Sequence, residues 1–209
     1  MKVIIGTPIH QVKDYSIERW LKNVAALTST TPADLLLVDN SPGPDYVRKV
    51  KKYLSKYKIK NFIIKHLKFP SSISTDLRIE ASQETVRQYV LKCRYDAWFS
   101  WECDQIIPTD ALDKLVELME KGRYQMVVVN SWARWDPTIT NTNMGCTLIN
   151  RRCLEKVRFL PIRKGKISLN SLDSYDIHDP QVIKKRVLKA GGNYIEIYGV
   201  IEPVYHLAQ

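Results

Sequence analysis

Glycine is scarce in this chain, eight residues in 209, and none belongs to a G-x-G-x-x-G run. The tight turn that cradles a dinucleotide is therefore missing after the first apolar segment. Gly165-Lys166-Ile167-Ser168 likewise lacks the upstream glycine and the preceding buried strand of a P-loop. No uninterrupted apolar stretch exceeds four residues (35–38 is one), against the roughly 18 to 20 that span a bilayer and the roughly 7 to 15 of a signal-peptide core. The expectation is a protein that neither crosses a membrane nor carries a visible secretory signal, with peripheral contact at a membrane left open. The four cysteines, Cys93, Cys103, Cys146 and Cys153, form no C-x-x-C pair. That argues against a zinc ribbon and a disulfide framework and points to a reducing cytoplasm. No segment is low in complexity, and intrinsic disorder is disfavoured.

What is present suits a folded core. Hydrophobic residues make up 44% and aromatics 10%, including five Trp and eleven Tyr, and 209 residues fit one domain spanning 1–209. A formal net charge of +10 calls for an anionic partner: nucleic acid, acidic lipid headgroups or phosphorylated small molecules. The densest basic stretch, 48–60, holds seven Lys or Arg in thirteen residues at helical spacing, which reads as a solvated helix face.

Strand and helix patterns alternate along the first half. Residues 2–8 form a β-branched run stopped by Gly and Pro. Ile17, Trp20, Leu21, Val24 and Leu27 then share one helical face over 16–28, with Ser16 as the expected N-cap. A second strand over 34–41 is broken by Pro42-Gly43-Pro44 and followed by a helix through Val47, Val50, Leu54 and Tyr57. A third strand covers 61–67, a long helix 75–94, and a fourth strand 96–104. Pro108-Thr109-Asp110 opens a helix closed by Gly122, and 124–132 is a fifth strand. Beyond it, 133–143 and 163–178 read as loops, 144–150 as a strand, 180–190 as a helix, and 193–207 as one or two strands. This is the rhythm of a parallel α/β sheet.

In such a sheet ligands sit beyond the carboxyl ends of the strands. The residues there are Thr7 and Pro8, then Asp39-Asn40-Ser41, then Glu102 and Asp104, then Asn130-Ser131. A cleft without a glycine-rich cradle must neutralise phosphate by other means, and a divalent metal held by carboxylates does so. Glu102 and Asp104 stand at i and i+2, which on an extended chain projects both to one side and turns Cys103 away. Oxygen ligands of this kind suit Mg²⁺ or Mn²⁺ better than Zn²⁺. The bland alternative is a pair of acids solvating a strand end.

The segments Val3-Ile-Ile-Gly-Thr-Pro8, Val38-Asp39-Asn40-Ser41, Trp101-Glu102-Cys103-Asp104 and His178-Asp179-Pro180, the last running on to Gly191-Gly192, follow in a telling order. Together they resemble the landmarks of GT-A-fold glycosyltransferases, most like glycosyltransferase family 2, over nearly the whole chain. The resemblance implies a three-layer αβα domain with a central, mostly parallel sheet, Rossmann-like in its nucleotide-sugar binding. It implies further that Asp39 contacts the base or ribose of a nucleotide, that Glu102 and Asp104 hold a metal-bridged diphosphate, and that Asp179 is the base that activates an acceptor hydroxyl. Arg78 would face the diphosphate and His206 would approach the metal. Glu102 replaces the more usual aspartate, and His178 stands where an acid is common. Asp179 before Pro180 is also how a helix begins, with Asp as N-cap and Pro at N1. Trp132, Arg134 and Trp135 are candidates for a sugar-binding wall.

The activity so implied moves a sugar from a nucleotide-diphosphate donor to a hydroxyl on a glycan, lipid or protein, with inversion if Asp179 is the base. A sugar nucleotidyltransferase would normally carry a Gly-rich basic loop after the first strand, which Thr7-Pro8-Ile9-His10 lacks. A basic nucleic-acid-binding protein would alternate aromatics with Lys or Arg on a surface strand. Here Trp98, Phe99 and Trp101 cluster in an apolar strand instead, which disfavours nucleic acid.

Overall fold

Successive side chains of the first strand enter two different cores. In β1 (Val3–Ile9), Val3, Ile5 and Ile9 join one hydrophobic cluster while Ile4 joins another. The same division runs through β2 (Asp34–Asp39), where Leu35 and Leu37 face one way and Leu36 and Val38 the other. In β4 (Ala97–Trp101), Phe99 and Trp101 oppose Trp98. A strand apolar on both faces needs helices on both sides, and the β-branched and aromatic content fits that burial. The computed structural model describes residues 1–132, 140–163, 166–169, 180–202 and 204–207, with the backbone alone at 131–132, 140–143, 162–163 and 180–181.

The seven-stranded sheet contains β1, β2, β4 and β3 (Phe62–His66), β6 (Met126–Trp132), β7 (Thr140–Asn150) and β10 (Tyr194–Ile197) in the order β10-β6-β7-β4-β1-β2-β3. Only β7 runs antiparallel to its neighbours, β4 and β6. One face carries α1 (Asp14–Thr30), α2 (Asp45–Lys56) and α4 (Ala111–Lys121) through Trp20, Val50 and Leu115. The other carries α3 (Thr75–Lys92), α5 (Arg151–Lys156) and α6 (Pro180–Lys189) through Val86, Leu154 and Ile183. The result is the three-layer αβα, mostly parallel architecture that the sequence resemblance implied. Two small antiparallel pairs complete the fold: β5 (Gln105–Ile106) with β11 (Tyr205–His206), and β8 (Ile162–Arg163) with β9 (Lys166–Ile167). Among the described residues no helix is long and apolar enough to cross a membrane, and all four cysteines are free thiols.

Several boundaries differ from the sequence reading for identifiable reasons. The first helix begins at Asp14, because a 3-10 turn over Gln11–Lys13 feeds directly into it. Ser16 is not the N-cap; its hydroxyl donates back to Lys13 O at 2.9 Å. The fourth strand stops at Trp101 rather than 104. Its last carbonyl accepts from Thr7 Oγ1 at 2.8 Å, and the chain then turns, with Gln105 N donating to Glu102 O at 3.1 Å. β7 starts at Thr140, inside a tract expected to be loop, since Thr140-Asn-Thr-Asn offers no apolar alternation to betray a strand. The two-residue strands β8, which overlaps the start of the expected loop 163–178, and β9, which lies within it, are too short for any period.

Gly6 of β1 lies against Val86 of α3 and Trp98 of β4. A Cβ there would lie 2.4 Å from Val86 Cγ1 and 2.6 Å from Trp98 Nε1, whose N–H donates to Gly6 O at 2.9 Å. Gly6→Ala should destabilise the fold by about 1–3 kcal/mol through overpacking, read as a lower denaturant midpoint at unchanged slope. A wild-type midpoint would show that this contact has room to relax.

Candidate active site

The strand order reverses at β1, which has β2 on one side and β4 on the other. Chain connections diverge from such a switch point and leave a crevice beyond the strand ends. A cavity of about 560 Å³ opens there, a size suited to a small-molecule ligand. Pro8, Ile9 and His10 form its floor, and Val12 and Lys13 carry its wall to the N-terminus of α1. Opposite, Thr75, Arg78, Ile79 and Gln83 present one face of α3 at helical spacing. Ser100 and Trp101 lead from β4 into Glu102, Cys103 and Asp104, with Met144 from β7 and His206 from β11 alongside. Trp101 packs edge-on against Trp20 of α1 with centroids 5.2 Å apart, a buried contact that holds the helix to the end of the strand.

Glu102 and Asp104 share the cavity wall as expected, but by a turn rather than by strand alternation. Glu102 N donates to Gly145 O at 2.8 Å, which ties the turn to β7. Cys103 points into the core, 4% exposed; burial and the neighbouring Asp104 carboxylate push its thiol up to about 12, so it stays a thiol. Asp104 is 1% exposed, and its Oδ2 accepts both the Lys13 ammonium and the Tyr15 hydroxyl, the latter at 3.1 Å. The β5·β11 pairing brings His206 in, with its Nε2 2.8 Å from Gln105 Nε2. The amide nitrogen can only donate, so this ring nitrogen accepts. Two carboxylates on one wall are oxygen donors suited to Mn²⁺ or Mg²⁺, whereas the one lone pair of neutral His206 is committed to Gln105. Even so, no group of three His, Cys, Asp or Glu among the described residues is drawn together as a ready ligand set.

Of the other residues singled out in the sequence, Pro8 and Arg78 line the cavity and Thr7 and Asp39 do not. Thr7 is fully buried, its hydroxyl spent on Trp101 O. Asp39 is also fully buried: Oδ1 accepts from Ser41 Oγ at 2.6 Å and Ser41 N at 3.2 Å, while Oδ2 meets His66 Nδ1 at 2.6 Å. The expected nucleotide contact residue Asp39 thus turns its carboxylate to Ser41 and His66, next to Asn40 on the cavity wall. Arg78 uses Nε and Nη2 to donate to Ile73 O at 3.0 and 2.7 Å. Asp179, His178, Arg134 and Trp135 lie outside the described residues, as does the side chain of Trp132.

The sequence reading missed His10, Lys13, Gln83, Ser100 and Met144. Gln83 was legible in principle, since it continues the stripe of Thr75, Arg78 and Ile79 on α3. Its Oε1 is buried without a hydrogen bond, an acceptor facing a cavity that a donor group can enter. His10 caps the 3-10 turn, with Nδ1 accepting from Val12 N at 3.1 Å. In the neutral ring the proton therefore sits on Nε2. Burial, and secondly the Arg78 charge, lower its pKa below 6.5, while Asp39 opposes them.

Because the folded value lies below the unfolded one, the unfolded chain takes up this proton first as pH falls. The stability contributed by neutral His10 is complete above pH 6.5 and is lost as pH drops through the folded value. His10→Asn keeps a capping acceptor without titrating. Between about pH 7.5 and about pH 5 the wild-type melting temperature should fall further than that of the variant. Parallel curves would remove His10 as a titrating cap.

No family model matches this sequence, and no curated protein does. Solved structures do. S. aureus TarS in complex with UDP-GlcNAc aligns at TM-score 0.61 with 12% identity over 95% of this chain and 59% of its own. TarS in complex with UDP gives 0.60, 14%, 94% and 61%. The mannosyltransferase PcManGT from Pyrobaculum calidifontis, in complex with GDP-Man and Mn²⁺, gives 0.63, 13%, 95% and 55%. This chain thus spans just over half the length of these structures, which are GT-A-type glycosyltransferases. At such low identity the likeness concerns the fold, and the fold of this chain is that of the GT-A-type glycosyltransferases.

Proposed function

We propose that this chain is a glycosyltransferase that moves a sugar from a nucleoside-diphosphate donor to an acceptor hydroxyl. The observation that carries the reading is the position of Glu102 and Asp104 on the wall of the switch-point cavity of a GT-A-type sheet. The ligands of the similar structures, UDP-GlcNAc, UDP and GDP-Man, support the donor class by analogy of fold.

Breaking the bond between sugar and diphosphate builds negative charge on the departing diphosphate. A wall that holds positive potential before the reaction lowers that barrier without reorganising. Arg78 and Lys13 supply it here. A divalent ion, Mn²⁺ or Mg²⁺, would be held by Glu102 and Asp104 with His206 on the same wall, and when bound it would neutralise diphosphate charge. In this reading Asp179 takes the proton of the acceptor hydroxyl, and attack from the side opposite the leaving group inverts the anomeric centre. The acceptor belongs to the class of hydroxyl-bearing glycans, lipids or proteins.

A thermal-shift matrix of UDP and GDP, each with Mn²⁺ or EDTA, tests the reading. At 100 times its dissociation constant a ligand stabilises the native state by about 2.7 kcal/mol, a shift of several degrees for a chain of this size. Nucleotide and Mn²⁺ together should exceed the sum of their separate shifts. Asp104→Asn should lose that excess, whereas Asp179→Asn, altered only toward the acceptor, should keep it. Absence of any nucleotide shift in wild type would overturn the proposal, and a shift equal in EDTA and Mn²⁺ would remove the ion from it.

A further inference from the structure

Lys13 occupies an awkward place for a cation. It is the N-cap of α1, with φ −95° and ψ 17°, and it makes no capping bond through its side chain. The positive end of a helix dipole disfavours a cation there, and Ser, Thr, Asp or Asn would serve better as a cap. Its ammonium instead pairs with Asp104 across the cavity wall. The two partners are unequally accessible: the Asp104 side chain is 1% exposed and the Lys13 side chain 31%. One charge is sealed into the protein, while the other sits on a flexible stem that can leave through the cavity. Tyr15 reinforces the carboxylate from the same helix, donating to the same Oδ2 at 3.1 Å. Glu102 stands two residues away on the same wall.

A cation that enters beside Glu102 and Asp104 therefore meets a positive charge already bound to the better-buried carboxylate. A diphosphate entering the same cavity has the opposite effect, because its negative charge attracts the ammonium away from the carboxylate. We propose that Lys13 is the built-in counter-cation of Asp104 and exchanges this carboxylate for the diphosphate of the donor. Divalent ion and nucleotide then bind as a pair, and Asp104 is never left as an uncompensated buried charge. The proposal rests on the reading of the cavity as a nucleoside-diphosphate site, and it makes Lys13 a group that moves during donor binding.

The test titrates Mn²⁺ alone into the full chain and counts free Mn²⁺ by electron paramagnetic resonance, in wild type, Lys13→Gln and Lys13→Arg. Removing the competing charge in Lys13→Gln should tighten Mn²⁺ binding on the order of tenfold without nucleotide. UDP or GDP should then strengthen Mn²⁺ binding by a smaller factor than in wild type. Lys13→Arg, which keeps the charge, should follow wild type. Wild-type Mn²⁺ affinity in folded Lys13→Gln overturns the proposal, and so does equal behaviour of the Gln and Arg variants. Should Lys13→Gln unfold, the ion ought to replace the ammonium and restore the fold, and a variant that stays unfolded in Mn²⁺ also counts against the exchange. If wild type binds neither nucleotide, the donor reading fails, while the nucleotide-free comparison still decides the role of Lys13.

Discussion

A strand buried on both faces has only its ends to offer to chemistry. β1 is such a strand, with Ile4 packed toward one layer of helices and Ile5 toward the other, and every strand beside it repeats the division. Polar groups along these strands need a partner in the interior or carry an unsatisfied burial cost. They collect where the ladder stops, and the reversal of strand order at β1 keeps the space above those ends open. The termination is itself built: Thr7 takes the last carbonyl of β4, the chain turns, and Glu102 and Asp104 face the cavity.

The charges that shape this region come in pairs. Asp39 with His66, Asp104 with Lys13, and Glu84 with Arg87 each join a nearly or fully inaccessible acid to a base. The third pair lies away from the cavity yet bears on it. Glu84 also accepts from Phe159 N at 3.0 Å, and Arg87 donates to Leu154 O at 2.6 Å, so α3 is anchored to the segment that includes α5. The face of α3 that bears Arg78 and Gln83 inherits that rigidity. Removing one partner of a buried pair leaves an uncompensated charge, typically at a cost of about 3–5 kcal/mol. Lys13 and Asp104 differ from the other two pairs in that the base remains accessible to an incoming ligand.

The layers were legible in the sequence because burial leaves a period. Ile17, Trp20, Leu21, Val24 and Leu27 gave the inward face of α1, and all five are fully buried. The carboxylate pair was legible as two acids at the end of an apolar strand, although the geometry that unites them is a turn set by Thr7 and Gln105, residues distant in kind or place. For Asp39 the sequence shows that a carboxylate ends a strand and not that His66, from the neighbouring strand, meets it. His206 reaches the site through an antiparallel pairing with β5 that no local pattern encodes. Lys13 escaped notice for the same reason: its partner lies 91 residues away in the chain.

The crevice between the ends of β1 and β4 is the proposed binding site for a nucleoside diphosphate. Amide hydrogen exchange, measured with and without UDP or GDP in the presence of Mn²⁺, tests it most directly, because ligand binding slows local opening around the site. Protection is expected at residues 10–13 and 101–105 together, two segments far apart in sequence that both reach this cavity. Protection confined to the basic face of 48–60, or no change at either segment, would contradict it.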